Sequence, residues 1–459
     1  METRPELLEI SLTQDSGYDA GALRDPREII LPRPPGFGTV LGRRDFRLIW
    51  FAQVSSQLAD KFLMFSLLVL TYTVSRASSQ GAILFLAYTF PSVVLSSVAG
   101  VYADRHDKKR LMFYTNVIRG GLILLIPLSR FSSYFSHVTW HLLVITFLFA
   151  AVGQVFAPAE AASIQFIVRS EELMTATSVF TSTVIVTLLV AVPLSTLAIK
   201  FLGPDSPYWI AAGLFLLASW LIYLVRAKLR AHNHANHSRA PDFFFELREG
   251  LGIIARRPLV RFAVIQLSLT ITVVFSIFVL APQYMSTVLK LLPTDVYLFL
   301  APAVIGMLGA AFFLGEYGRH FRRSHLLIGG LVAGGVTLVL IAILPNLLRQ
   351  FAPALISVFP VVFGFIGGIE FGALFIPAFT VLQEKTEAEM RGRIFGAMFT
   401  IVNAAVALPI LVAGGLADIF GVTAVIVGMG CLMVATGAIS ALTGRRSPLG
   451  PPDLVSSSG

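Results

Sequence analysis

Asp60, Lys61, Arg119, Glu160 and Glu370 each stand inside a long apolar run of the chain. At the centre of a bilayer a charge costs about 2.5–3.5 kcal/mol on insertion scales, so such residues are kept for a task. For a carboxylate, that task is proton chemistry: binding on one side of a membrane and release on the other. Gln53, Gln57, Asp60 and Met64 share one helical face, a polar stripe expected to line a cavity. Lys61 lies about 100° further round the helix, which predicts that it does not simply pair with Asp60. Arg119 is the candidate partner of Asp60, and the two read either as a packing ion pair or as part of a proton-coupling site. Glu370 has no basic neighbour in its own run and reads as a titrating or substrate-facing group. Glu160 lies nearer the end of its run, either an interface residue reaching water or a further proton-site candidate. Gln154 and Gln266 read as cavity lining or as glue between helices.

Bond-making chemistry has much less support. His106, His320 and His325 are scattered in basic turns with no nucleophile or carboxylate grouped around them. His232, His234 and His237 cluster locally, but without ligand-spaced cysteine or carboxylate they read as a solvated linker. The single cysteine, Cys431, allows no intramolecular disulfide. The expectation is a protein that is no enzyme and holds no metal or cofactor.

The elements that must position these charges follow from composition. The chain is 56% hydrophobic and 13% charged, with mean hydropathy +0.78. That is far outside the soluble range. Crossing a bilayer takes about 20 apolar residues per helix. Twelve runs qualify: 47–74, 81–103, 109–129, 139–168, 173–200, 206–228, 258–289, 295–315, 324–345, 352–383, 392–417 and 421–443. The expected fold is an all-α polytopic membrane protein of twelve transmembrane helices in two six-helix halves. The halves are expected at 43–228 and 258–443, with cytoplasmic tails at 1–42 and 444–459. Between them lies a cytoplasmic linker, 229–257, where Phe243, Leu247, Leu251 and Ile254 share the face of a short interfacial helix.

Charge orients the whole. With both termini cytoplasmic, the basic residues left outside are Arg76, Arg130, Lys200, Lys290 and Arg349, and the remainder gather inside. The net charge of +9 is thereby accounted for without nucleic acid. The halves also echo each other. Arg105-His106-Asp107-Lys108-Lys109 returns as Arg319-His320-Phe321-Arg322-Arg323, and Phe156-Ala157-Pro158-Ala159 as Phe375-Ile376-Pro377-Ala378. Parallel six-helix repeats are a transporter plan.

The turn between the second and third runs reads Gly100-Val-Tyr-Ala-Asp104-Arg105-His-Asp-Lys108-Lys109-Arg110. A glycine on the last helical turn would let a neighbouring helix approach, and the aspartate could pair with the cluster or cap another helix's N-terminus. This resembles the signature loop of the major facilitator superfamily, in the version seen in the macrolide-efflux-like branch of its drug:proton antiporters. Further matching pieces are FRLIWFAQVSSQLADK opening the first run, Asn116-x-x-Arg119 in the third, and GRIFGAMFTIVNAAVALPILVAGGLADIFG in the eleventh. One piece departs. Where the antiporters want glycines flanking a proline, Pro193 stands in Ala191-Val192-Pro193-Leu194-Ser195-Thr196. The resemblance implies a monomeric secondary transporter of the cell membrane, exporting hydrophobic or amphipathic small molecules against protons by alternating access. An importer or uniporter, a lipid or siderophore exporter, or a non-transporting sensor or scaffold would share the architecture.

Overall fold

The computed structural model describes residues 36–129, 131–135, 138–229, 252, 256, 258–320, 323–384 and 391–444. The expected tails up to residue 35 and beyond 444, the interfacial helix expected in the linker and the histidine cluster lie outside the described residues. A short helix, Phe37–Gly42, precedes the first long one. The long helices are α1 Arg44–Ser75, α2 Ser78–Arg105, α3 Lys108–Ser129, α4 Trp140–Ile164, α5 Leu173–Leu202 and α6 Ser206–Tyr223. The second set is α7 Pro258–Tyr284, α8 Tyr297–Tyr317, α9 Arg323–Phe351, α10 Phe359–Glu384, α11 Arg391–Phe420 and α12 Val422–Gly444. Eleven of these hold a stretch long and apolar enough to cross a membrane, and α11 adds a shorter one, Val406–Phe420.

The helices depart from the expected runs mainly at their ends. α9 passes through Pro345 to Phe351, and α10 starts only at Phe359, after a 3-10 turn over Pro353–Ile356. α7 finishes in a π turn, Met285–Leu289. Two sharp turns use left-handed backbone, at Arg76 between α1 and α2 and at Gly421 between α11 and α12. At Gly421 the positive φ favours a residue without a Cβ.

Packing repeats with a shift of six helices. α2 packs on α4 as α8 does on α10, α3 on α6 as α9 on α12, and α1 on α5 as α7 on α11. The echoed prolines fall in register, Pro158 in α4 and Pro377 in α10, each eighteen residues after its helix begins. α10 meets α8 through a glycine face. A Cβ on Gly364 would overlap the Phe299 carbonyl oxygen and one on Gly368 that of Ala303, so these two backbones touch. Around Pro193 the expected glycines are replaced by small buried residues, and the Ser195 hydroxyl bonds Ser66 Oγ at 2.7 Å and the Phe62 carbonyl at 3.1 Å. Close approach of α5 to α1 is thus kept, with hydrogen bonds in place of bare backbone.

Candidate functional site

In the N-terminal half, α1, α2, α3, α4 and α6 converge on one charged cluster. Asp60 on α1 pairs with the Arg119 guanidinium on α3. Its other oxygen, Oδ2, accepts from Lys61 Nζ at 2.8 Å and from Tyr88 Oη on α2 at 2.5 Å. The expectation that Lys61 stays apart from Asp60 is therefore corrected. The angular argument places the Cα–Cβ bond, whereas a four-carbon stem reaches back round the helix to the carboxylate. Arg119 is held on both faces, its guanidinium carbon 4.1 Å from the Phe149 ring centre and 4.5 Å from that of Phe215. Gly153 on α4 makes room for it: a Cβ there would sit 3.4 Å from the guanidinium carbon. Glu160 lies two helical turns further along the face of α4 that carries Gly153, within electrostatic reach of Arg119. Asp60, Arg119 and Glu160 are all buried.

Tyr88 was not among the sequence candidates, nor were Phe149 and Phe215. Nothing in an apolar run distinguishes a tyrosine or phenylalanine that clamps a charge from one that faces lipid. Glu370 is placed elsewhere. It sits on α10, half-buried, and accepts a 2.7 Å hydrogen bond from Thr337 on α9. The structure does not bring it to the Asp60 cluster.

Two of the four glutamines are buried between helices. Gln53 is buried between α1 and α5, donating to the Phe180 carbonyl at 3.4 Å. Gln266 is buried between α7 and α9, donating to the Leu327 carbonyl at 3.2 Å. Gln57 is half-buried, and Gln154, also half-buried, bonds back to Ala150 on its own helix.

The basic turn serves its own half. Asp107 caps α3 by accepting from the backbone N–H of Lys109 at 2.9 Å, and Lys108 Nζ donates to the Asp104 carbonyl at 2.8 Å. Lys109 Nζ donates to the Val225 carbonyl at 2.7 Å, meeting the negative end of α6. Among the described residues, a Cβ on Gly100 would meet nothing within 4 Å. The Asp104 side chain is exposed, as are Arg105 and Arg110. At the same end, Glu172 pairs with Arg43 at 2.8 Å and accepts from the Arg169 N–H at 3.0 Å. The Arg43 bond, then that N–H, hold its carboxyl below the usual carboxylate range.

Among the described residues, polar contacts that join the halves gather at the opposite end. The Asp418 carboxylate, at the end of α11, accepts from the first two N–H groups of α2: Ser78 at 2.8 Å and Ser79 at 2.9 Å. Ser78 Oγ donates to Gln283 Oε1 at 2.7 Å, and Tyr72 and Ser286 hydroxyls meet at 2.7 Å. Lys200 reaches Asp295 at 3.0 Å. Phe65 against Phe278 and Phe85 against Phe275 continue the seam inward. A helix N-terminus capped by a carboxylate combines two N–H bonds with the favourable end of the dipole.

Comparison with known proteins agrees with this architecture. The family model described as Major Facilitator Superfamily matches residues 49–409. The chain is similar to the multidrug efflux pump Tap of Mycolicibacterium fortuitum, 23% identical over 88% of this chain and 96% of that one. It is also similar to macrolide efflux protein A of Streptococcus pyogenes, 21% identical over 82% of this chain and 90% of the other. Among solved structures, a bacterial homolog of the human lysosomal transporter Spinster superposes with TM-score 0.66 at 12% identity. That match covers 88% of this chain and 97% of the other.

Proposed function

This chain belongs to the Major Facilitator Superfamily, and from that premise we propose that it exports hydrophobic or amphipathic small molecules in exchange for protons. It is a multi-pass transporter and not an enzyme; the direction, the coupling ion and the substrate class are the proposal. The observation that carries it is the buried cluster of Asp60, Lys61, Tyr88 and Arg119, with Glu160 beside it. Charges so costly to place in a membrane mark ion and proton routes. Two relatives whose printed names are efflux pumps support the direction. We place the protein in the cell membrane as a monomer with both termini cytoplasmic, from the excess of basic residues on that side.

In that orientation the seam of Asp418, Ser78, Gln283 and Lys200 closes the outer end. Asp104, exposed at the inner end of α2, mirrors Asp418 at the outer end of α11. Each aspartate ends one helix of the α2–α11 pair where the other begins. Alternating access then exchanges one cap for the other.

The test is flux in proteoliposomes, with ethidium as a hydrophobic cationic probe. An imposed pH gradient is expected to drive ethidium against its own gradient, and a protonophore to stop it. Flux that ignores the pH gradient would overturn proton coupling and leave a uniporter or importer. A second expectation concerns the seam. Asp418→Asn weakens a cap worth about 1 kcal/mol, shifting the balance toward the outward-open form roughly five-fold. In a Cys431→Ser background, a cysteine at Ser79 should then react faster with an impermeant maleimide. Unchanged labelling would make the Asp418 contact incidental to closure.

A further inference from the structure

A second polar site lies deeper in the N-terminal half, between α3 and α4. Met112, Asn116 and Arg119 fall on one face of α3; Gly153, Glu160 and Ser163 fall on the facing side of α4. Two contacts fix the register of these stripes. Ser163 Oγ reaches Met112 Sδ at 3.9 Å. At the other end, Gly153 abuts the Arg119 guanidinium. Asn116 and Glu160 are therefore enclosed between those contacts. Asn116 is 0% exposed, Arg119 6% and Glu160 8%.

Four atoms of these residues have no hydrogen-bond partner among the described residues: Asn116 Nδ2 and Oδ1, Arg119 Nε and Glu160 Oε1. That set is two donors and two acceptors, the complement of a water molecule's hydrogen-bonding capacity. Orphaned buried polar atoms are rare, and a cluster of four on facing helices is a built site rather than a scatter of defects.

We infer that Asn116, Arg119 Nε and Glu160 hold ordered water, and that this water passes a proton to the Glu160 carboxylate, with Asn116 as the positioning residue. The water gives a proton to Glu160 Oε1, forming the carboxyl O–H, and takes a replacement from solvent at the nearby end of α4. Release reverses both steps, so no other reactant is consumed. Among charged groups on the packed helices, Arg119 is the one acting on this carboxylate. Asp60 and Lys61 on α1 are paired with each other, and Tyr88 on α2 donates to Asp60. Tyr102, Asp104 and Arg105 at the end of α2 are exposed, and Lys108 on α3 bonds a carbonyl. When Glu160 is ionised, the two acids and two bases of the combined cluster cancel; when it is protonated, one positive charge remains. The protonated state therefore disfavours a cationic substrate nearby, which is the sense an exchanger needs.

This inference rests on the proton-exchange reading for its role in transport, but not for the existence of the site. The experiment accordingly has two arms. In purified wild-type protein titrated with acid, infrared difference spectra are expected to show a protonated-carboxyl band that Glu160→Gln abolishes. Asn116→Leu should move its frequency and its titration midpoint, and Asn116→Ser, which keeps a hydroxyl and leaves room for water, should largely restore the wild-type position. A band abolished by Glu370→Gln and untouched by Glu160→Gln overturns the site, as does a band insensitive to Asn116→Leu. In proteoliposomes, Asn116→Leu is expected to keep substrate-for-substrate exchange while losing tenfold or more of the flux driven by a pH gradient. Equal losses of both modes make Asn116 a packing residue and overturn the relay. If the band behaves as expected but wild-type flux ignores protons, the site stands and the exchange reading falls.

Discussion

Arg119→Leu is expected to be among the most damaging single substitutions in this protein, lowering its stability by about 3–5 kcal/mol, the range seen when one partner of a buried ion pair is removed. Asp60 is 7% exposed and would be left in an apolar interior with Lys61 and Tyr88 alone. The space between the Phe149 and Phe215 rings would lose its cation as well. Asp60→Leu should be similarly harmful, because it strands the guanidinium. The combination Asp60→Leu/Arg119→Leu removes the buried pair and leaves Lys61 to carry its ammonium to water on a flexible stem, so it is expected to recover part of the loss. Thermal unfolding of the four proteins in detergent measures the coupling. A double variant no better than either single one would show that Arg119 matters for its aromatic packing and not for the ion pair. The recovered double variant should still fail to transport, which separates the cluster's structural part from its functional one.

Gly368→Val is expected to act as strongly in the other half. Its side chain would have to enter the Ala303 carbonyl oxygen of α8, and backbone cannot move aside as a side-chain tip can. Overpacking of a core costs about 1–3 kcal/mol, and a backbone-on-backbone site belongs at or above the top of that range. Gly367 is the internal control, one position away, where a Cβ would meet nothing within 4 Å. Gly367→Ala should be neutral or stabilise slightly, by about 0.5–1 kcal/mol, because it lowers the conformational freedom lost in the helix. Folded yield and melting temperature check both. A Gly368→Val protein melting like the wild type would mean that α8 and α10 do not meet along this face.

The membrane helices were legible because apolar length is a strong signal and lies wholly within each segment. Their ends were less so: the run expected at 324–345 stops short of Phe351, where α9 ends. Asp60 and Arg119 could be paired from sequence because a lone charge in lipid needs a partner and few candidates exist. Lys61 was misplaced by treating a flexible stem as a fixed vector. Tyr88, Phe149 and Phe215 were invisible, since only tertiary contact separates a clamping ring from a lipid-facing one. The seam between the halves was equally hidden, because Asp418 and Ser78 are ordinary helix-end residues until the chain folds them together.

The clamp around Arg119 also has a schedule. Asp60 enters the membrane first, and its guanidinium partner is synthesised 59 residues later. At about 5–20 residues per second that is an interval of roughly 3–12 s. Lys61, the next residue made, bonds the same carboxylate at 2.8 Å in the folded protein. Arg119 then arrives to a waiting counter-ion, while the two rings that will sandwich it are still to be made, on α4 and then α6. The parts of the clamp are thus synthesised in the order acid, adjacent base, distant base, and last the aromatic walls.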